Sequence, residues 1–202
     1  MSNKKHTDIL VIGSGPGGYA AAFRAADLGR EVTLVDKDPT LGGVCLNRGC
    51  IPSKTLLHIA KVLEEAESLK KMGVTFTKPT IDIDLVRDWK NKVVSQLSGG
   101  ISQMAKARKV NTIQAEATFL SDNEVQLKSE SNIEKITFDH CIIASGSSST
   151  IIPGIPFDNE NVLNSKTALD LEKIPKSLLV IGGGYIGLEM GTVFSALGSS
   201  VS

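Results

Sequence analysis

The sequence predicts an α/β fold built around a parallel sheet, and three observations predict it. Eight of the 19 glycines stand in two tight clusters, Gly13–Gly18 and Gly182–Gly187. Each cluster follows a short apolar run, Asp8–Ile12 or Leu178–Ile181, and precedes a helical pattern, Tyr19–Leu28 or Tyr185–Leu197. Each helical pattern ends at a glycine, Gly29 or Gly198, and a strand restarts beyond it, over 31–35 in the first copy and from Ser199 in the second. Short apolar runs between glycines read as buried parallel strands, and a glycine just past a helix supplies a left-handed C-cap. The chain therefore holds one strand–turn–helix–strand unit twice, which is a duplicated element and not a solenoid repeat.

Composition narrows the function classes. The chain has 202 residues, which corresponds to one or two domains, and 22 basic residues balance 22 acidic ones. With no net charge there is no basic field for nucleic acid or an anionic membrane, and neither is expected as a partner. A hydrophobic content of 41% beside 22% charged residues excludes a disordered chain. No apolar run reaches the length of a membrane span. Lys4 and Lys5 precede an apolar stretch, but Asp8 interrupts it and glycines follow, so a strand and loop are expected there and not a signal peptide. Three cysteines do not make a secreted disulfide framework; a cytoplasmic chain with one close pair is expected.

The segments between the two units follow in order. Leu56, Ala60, Leu63, Ala66 and Leu69 form an apolar stripe whose charged neighbours make a solvated face. A second amphipathic helix is predicted over 84–109, with a bend at Gly99-Gly100. Strands are predicted over 110–113, 124–127, 134–138 and 141–144, the later ones forming a small antiparallel meander, with turns at 121–123 and 129–132. Pro153-Gly154 and Pro156 mark a linker, so one domain is expected over 1–150 and a second from 151 to 202.

The first cluster carries the GxGxxG spacing at Gly13, Gly15 and Gly18, with Gly17 between. The first glycine lets the chain turn, the second lets a pyrophosphate approach the backbone, and the third lets helix pack on strand. The helix N-terminus then offers free N–H groups to phosphate. Asp36, at the end of the following strand, can bond ribose hydroxyls and would repel a 2′-phosphate. This is a Rossmann-like dinucleotide site; a tight structural turn is the plainer alternative. Gly182, Gly183, Gly184, Tyr185, Ile186 and Gly187 repeat the pattern, but no acid follows before Ser202, so NAD against NADP is not legible.

Cys45 and Cys50 enclose Leu-Asn-Arg-Gly. As a structural disulfide the pair would close so small a ring that the entropic gain is only about 2 kcal/mol. As a metal site it lacks a second close Cys/His pair. As a redox disulfide it needs local distortion, because positions i and i+5 of a helix point ~140° apart, and Gly49 permits it. Pro52 suits a helix beginning near Cys50, whose dipole favours negative charge on sulfur. The redox reading accounts best for the spacing, with metal binding or plain thiols as the alternatives. Cys141 is expected as an inert core thiol. His6, His58 and His140 carry no assigned role.

The stretch from Gly42, Gly43 and Val44 through Cys45 and Cys50 to Pro52, Ser53 and Lys54 resembles the active-site signature of the FAD-dependent pyridine nucleotide–disulfide oxidoreductases. Within that family it is most similar to the bacterial branch that oxidises dihydrolipoamide for 2-oxo acid dehydrogenase complexes, and the similarity extends over Asp82–Lys90 and Gln96–Gly100.

The resemblance implies a Rossmann-like FAD domain followed by the start of a Rossmann-like NAD domain. It implies that Gly13, Gly15 and Gly17 lie along the FAD pyrophosphate, with Asp36 and Lys37 near the adenosine ribose. The family usually carries Glu where Asp36 stands, and the shorter acid loosens that contact. The resemblance further implies that Thr40, Gly42, Gly43, Val44 and Cys45 wrap the flavin side of FAD, that Ala117 contacts adenine, and that Ser145 and Gly146 cover the FAD near the domain exit. Cys50 would face the flavin ring while Cys45 exchanges with substrate. Lys54 would sit by the ring, paired with Glu189. Tyr185 would shield the nicotinamide side and the second glycine turn would hold NAD.

The implied reaction oxidises a small dithiol through the Cys45–Cys50 disulfide and FAD, with NAD⁺ as final acceptor. The implied partners are a lipoyl domain of the acyltransferase component and a second copy in a homodimer. No metal is expected. The family's His–Glu base comes from a C-terminal domain, so the chain reads as an N-terminal fragment with little turnover of its own. A non-catalytic flavin-binding module, or a disulfide reductase of mercuric or glutathione type, remains the alternative.

Overall fold

A computed structural model describes residues 5–130 and 132–202. Lys4, and Ser131 within the turn expected over 129–132, lie outside it. The chain forms two compact units: residues up to Asn47 with Ser95–Ser148, and Arg48–Val94 with Ser149–Ser202. The second unit thus joins residues 48–94 to the final segment from Ser149.

The first unit is built on a six-stranded sheet in the order β3-β2-β1-β6-β5-β4. Its strands are β1 (Lys5–Ile12), β2 (Val32–Asp36), β3 (Asn111–Gln114), β4 (Glu116–Phe119), β5 (Glu124–Lys128) and β6 (Ile133–Ile143). β3, β2, β1 and β6 run parallel, and β6, β5 and β4 form an antiparallel meander. Val32–Val35 are all buried, the polar Thr33 among the apolar residues, as a central parallel strand covered on both faces requires. Helix α1 (Pro16–Asp27) follows the first glycine turn and buries Gly18, Ala22 and Phe23. Leu10, Val35, Val125, Leu127, Ile136 and Phe138 share one core, so the meander and the parallel strands are held by the same apolar cluster.

Three differences from the sequence expectation have local causes. The strands expected over 134–138 and 141–144 are one strand, β6, because β5 pairs its first half and β1 pairs its second half through the polar Asp139-His140. β4 was not expected; it is short and largely exposed, so it carries no apolar alternation. Gly99-Gly100 does not interrupt α4 (Ile83–Ala107).

In the second unit α3 (Cys50–Ser68), continued by a 3₁₀ turn over Leu69–Met72, packs with α6 (Tyr185–Ala196). Leu56 shares a core with Met190, Val193, Phe194 and Leu197. The strand expected over 178–181 is reduced to β7 (Ser177–Leu178), parallel to β8 (Ser200–Val201), although Val180 N–H still donates to the Ser202 carbonyl at 2.8 Å. A short helix α5 (Ser165–Asp170), absent from the sequence reading, starts at a capping box of Asn164 and Thr167. Its C-terminal carbonyls are held from α4: Lys90 donates to Leu169 and Arg87 to Leu171 and Glu172. Burial pushes the Lys90 ammonium below its ordinary range, against the opposing pull of Asp170. Among the described residues no helix is long and apolar enough to cross a membrane.

Candidate active site

In the first unit β1 ends at Ile12 and the chain reverses at Gly13, whose φ of +99° falls in the left-handed region that glycine tolerates. A Cβ on Gly13 would lie 2.2 Å from the Ala144 carbonyl oxygen, and one on Gly18 would lie 1.7 Å from the Gly13 carbonyl oxygen. The turn therefore closes only with glycine at both places. It also packs against the end of β6, which brings Ser145 beside Gly13 and leads directly to the exposed Gly146.

Gly15 caps α1 without any side-chain hydrogen bond to the helix, and Pro16 opens the helix. The first-turn N–H groups of Gly17 and Gly18 are thus available to an anion, and the glycines leave space for one to reach them. The turn has the donor set and the clearance that a dinucleotide pyrophosphate requires.

The loop after β2 closes onto this turn. Gly42 N–H donates to the Ser14 carbonyl at 2.9 Å, and a Cβ on Gly43 would lie 2.6 Å from Gly15 Cα. Gly42 and Gly43 both have positive φ. Asn47 Nδ2 donates to the carbonyls of Thr40 and Leu41, a role its place in the motif did not reveal. Asp36 accepts from the Ser14 N–H and hydroxyl on Oδ2, each at 2.6 Å, and from Asp38 N–H on Oδ1 at 2.9 Å. Lys37 and Thr40 are exposed, and Ala117 is half-buried on β4.

The two cysteines lie on either side of a helix break. Val44 is exposed and Cys45 half-buried in α2 (Gly43–Arg48). Gly49 leaves helical geometry with φ of −146° and ψ of −109°, and the exposed Cys50 is the first residue of α3. The distortion that the five-residue spacing demanded sits at Gly49. Pro52 falls in the first turn of α3, where its missing N–H costs no helical bond. Cys141 is half-buried against the sheet core, and burial pushes its thiol above the ordinary range, which keeps it protonated.

One turn beyond Cys50, the exposed Lys54 Nζ lies 2.5 Å from Glu189 Oε1 on α6. This contact joins two helices of the second unit and brings together two residues 135 positions apart. The second glycine turn repeats the first: Gly182 has φ of +104°, and Gly184 caps α6 with no side-chain bond. A hollow of about 220 Å³ lies at this turn, lined by Ile181, Gly182 and Gly184–Gly187, while Tyr185 stands exposed at its edge. A larger cavity of about 1390 Å³ starts at the same turn, where Gly182, Gly183 and Gly187 line it, and runs along the flank of α6 to Leu197.

His6, given no role from the sequence, places Nδ1 3.1 Å from Thr137 Oγ1 and Nε2 3.5 Å from Asp139 Oδ1 on the adjacent strand. His58 and His140 are exposed.

The chain is similar to known proteins along its whole length. The dihydrolipoyl dehydrogenase of Buchnera aphidicola subsp. Acyrthosiphon pisum is 51% identical over 201 residues, covering 100% of this chain and 42% of that protein. Those of Haemophilus influenzae and Vibrio cholerae are 50% and 48% identical with the same coverage. The chain thus spans under half the length of these relatives. Among solved structures, the HOCl-induced flavoprotein disulfide reductase RclA from Escherichia coli superimposes with a TM-score of 0.81 at 26% identity, covering 96% of this chain and 41% of that one. Its Cu(II) complex gives 0.82 at 29% identity, with coverage of 98% and 42%. Residues 7–202 match the pyridine nucleotide-disulphide oxidoreductase family, and the chain belongs to it.

Proposed function

We propose that the chain provides the FAD-binding and redox-cysteine part, and the beginning of the NAD-binding part, of a dihydrolipoyl dehydrogenase. The observation that carries this is the Gly49 break, which leaves Cys45 within α2 and Cys50 at the start of α3, one turn from the Lys54–Glu189 pair. Identity near 50% along the whole chain with dihydrolipoyl dehydrogenases favours this substrate over glutathione disulfide or Hg(II).

Gly17 and Gly18 bind the pyrophosphate of FAD through first-turn N–H groups, and the Gly42–Gly43 loop covers it. Bound flavin supplies a two-electron acceptor able to pass hydride to NAD⁺. The chemistry of the chain itself is thiol–disulfide exchange. A thiolate of dihydrolipoamide attacks Cys45 Sγ of the Cys45–Cys50 disulfide, and Cys50 leaves as thiolate. The second substrate thiol, losing its proton, attacks the substrate sulfur of the mixed disulfide and expels Cys45. The substrate is then a cyclic disulfide, two electrons poorer, and both cysteines are reduced. Lys54, held by Glu189, places a cation that favours negative charge nearby. The second turn, with Tyr185 at its edge, holds NAD. A lipoyl domain delivers the dithiol, the working form is a homodimer, and the protein works in the cytoplasm, where a disulfide that cycles through catalysis is the expected kind.

The test is a single-turnover exchange. The flavin-loaded, oxidised protein is mixed with dihydrolipoamide, quenched by alkylation, and Cys45 and Cys50 are quantified by mass spectrometry. Both become alkylated with stoichiometric lipoamide formed, while multiple-turnover NADH formation by the 202 residues alone stays near background. Failure to form a Cys45–Cys50 disulfide on oxidation contradicts the proposal.

A further inference from the structure

Asp36 carries more bonds to its own loop than a ribose-binding acid needs. A carboxylate offers roughly four lone-pair sites. Three are filled by the donors from Ser14 and Asp38, two of them at 2.6 Å. Bonds to an ionised acceptor at such lengths belong to the strong class. Ser14 is fully buried, and its N–H, hydroxyl and carbonyl are all engaged, the last by Gly42 N–H. The Ser14 N–H is therefore not offered to a phosphate. A shift of Ser14 would move the Gly13–Gly18 turn and the Gly42–Gly43 loop together, because Gly43 stands against Gly15.

We propose that Ser14 and Asp36 form a coupled brace that holds the first glycine turn and the Gly42–Gly43 loop in register before the dinucleotide binds. Asp36 is primarily a part of this brace and only secondarily a ribose ligand. Ser14 is then a positioning residue for the pyrophosphate, although its own side chain is committed to Asp36. The length of the acid matters: one more methylene carries the carboxylate past Ser14, so aspartate is the residue that fits this serine. The consequence for flavin rests on the reading under Proposed function; the brace itself does not.

Two measurements test it. Hydrogen exchange of the flavin-free protein reads the brace directly: Ser14→Ala and Asp36→Ala each speed exchange at the Ser14–Gly18 and Gly42–Gly43 amides, and unchanged exchange in both variants overturns the proposal. FAD titration of the purified protein reads the coupling. Each single variant weakens binding about tenfold, and the double variant is no weaker than the worse single. Losses that multiply to about a hundredfold in the double variant show independent roles and overturn it. Asp36→Glu separates the two roles of the acid: the brace predicts weaker FAD binding than wild type, whereas a dominant ribose contact predicts binding at least as tight and overturns it. If the wild-type protein takes up no FAD, the flavin reading falls, and the exchange comparison alone decides the brace.

Discussion

At the scale of single residues, the two glycine turns are alike in sequence and unlike in tolerance. A methyl at Gly18 meets the Gly13 backbone carbonyl at 1.7 Å, and backbone cannot yield cheaply. At Gly187 the neighbours are the Gly182 carbonyl and the Val180 side chain, both at 3.0 Å, and a side chain can shift. Gly18→Ala is expected to cost about 3 kcal/mol or more, and Gly187→Ala about 1 kcal/mol, in urea denaturation. The Lys54–Glu189 pair separates stability from chemistry. Lys54 is 60% exposed, so the pair contributes at most about 1 kcal/mol to folding. Lys54→Gln should leave the melting temperature within about 4 °C of wild type and slow flavin reduction by the dithiol at least about tenfold, as read by stopped-flow absorbance. An equal effect of Lys54→Gln and Lys54→Arg on the reduction rate would show that charge at this position is not what matters.

At the scale of elements, α4 is a long helix carrying an avoidable weakness. Gly99 and Gly100 sit in its interior, and beyond the adjoining helix backbone no described atom lies within 4 Å of an added Cβ. Alanine at either site lowers the entropy of the unfolded chain and meets no clash, so Gly99→Ala should stabilise by about 0.5–1 kcal/mol in the same denaturation assay. The α4–α5 junction responds to pH. Burial holds the Lys90 pKa below 10.5, so between the folded and unfolded values the unfolded state binds more protons. Stability therefore rises as pH increases through that window and levels off above 10.5. Lys90→Met, which keeps the volume and removes the titration, should flatten that part of the pH profile relative to wild type. A parallel profile in the variant would mean that other groups produce the slope.

At the scale of the whole molecule, both glycine turns and the helices that follow them were legible from the glycine spacing, and β2 from its buried run, whereas the run over 178–181 leaves Leu179 and Ile181 exposed and forms only the short β7. The meander was legible in part. Val125 and Leu127 alternate with polar neighbours, but β4 lies largely in solvent and leaves no pattern. Asp139-His140 hid the continuity of β6, since strand pairing is a backbone property that polar exposed residues do not interrupt. The grouping of residues 48–94 with 149–202 was not legible, because it rests on Leu56 meeting Met190 and Phe194, a contact with no local signal. The cysteine spacing demanded a distortion and Gly49 supplied it, whereas the pairing of Lys54 with Glu189 was reachable only through resemblance to a family. Ser14 was invisible as a partner of Asp36, because a serine between two glycines reads as a spacer.

The proposal that Cys50 shares a redox bond with Cys45 beside a bound flavin is tested most directly by anaerobic reductive titration of the flavin-loaded protein. Two-electron reduction should raise a long-wavelength absorbance band from thiolate stacked on flavin. The band should be lost in Cys50→Ser and present without any reductant in Cys45→Ser, where Cys50 has no disulfide partner. A band that survives in Cys50→Ser, or that no form of the protein produces, contradicts the account.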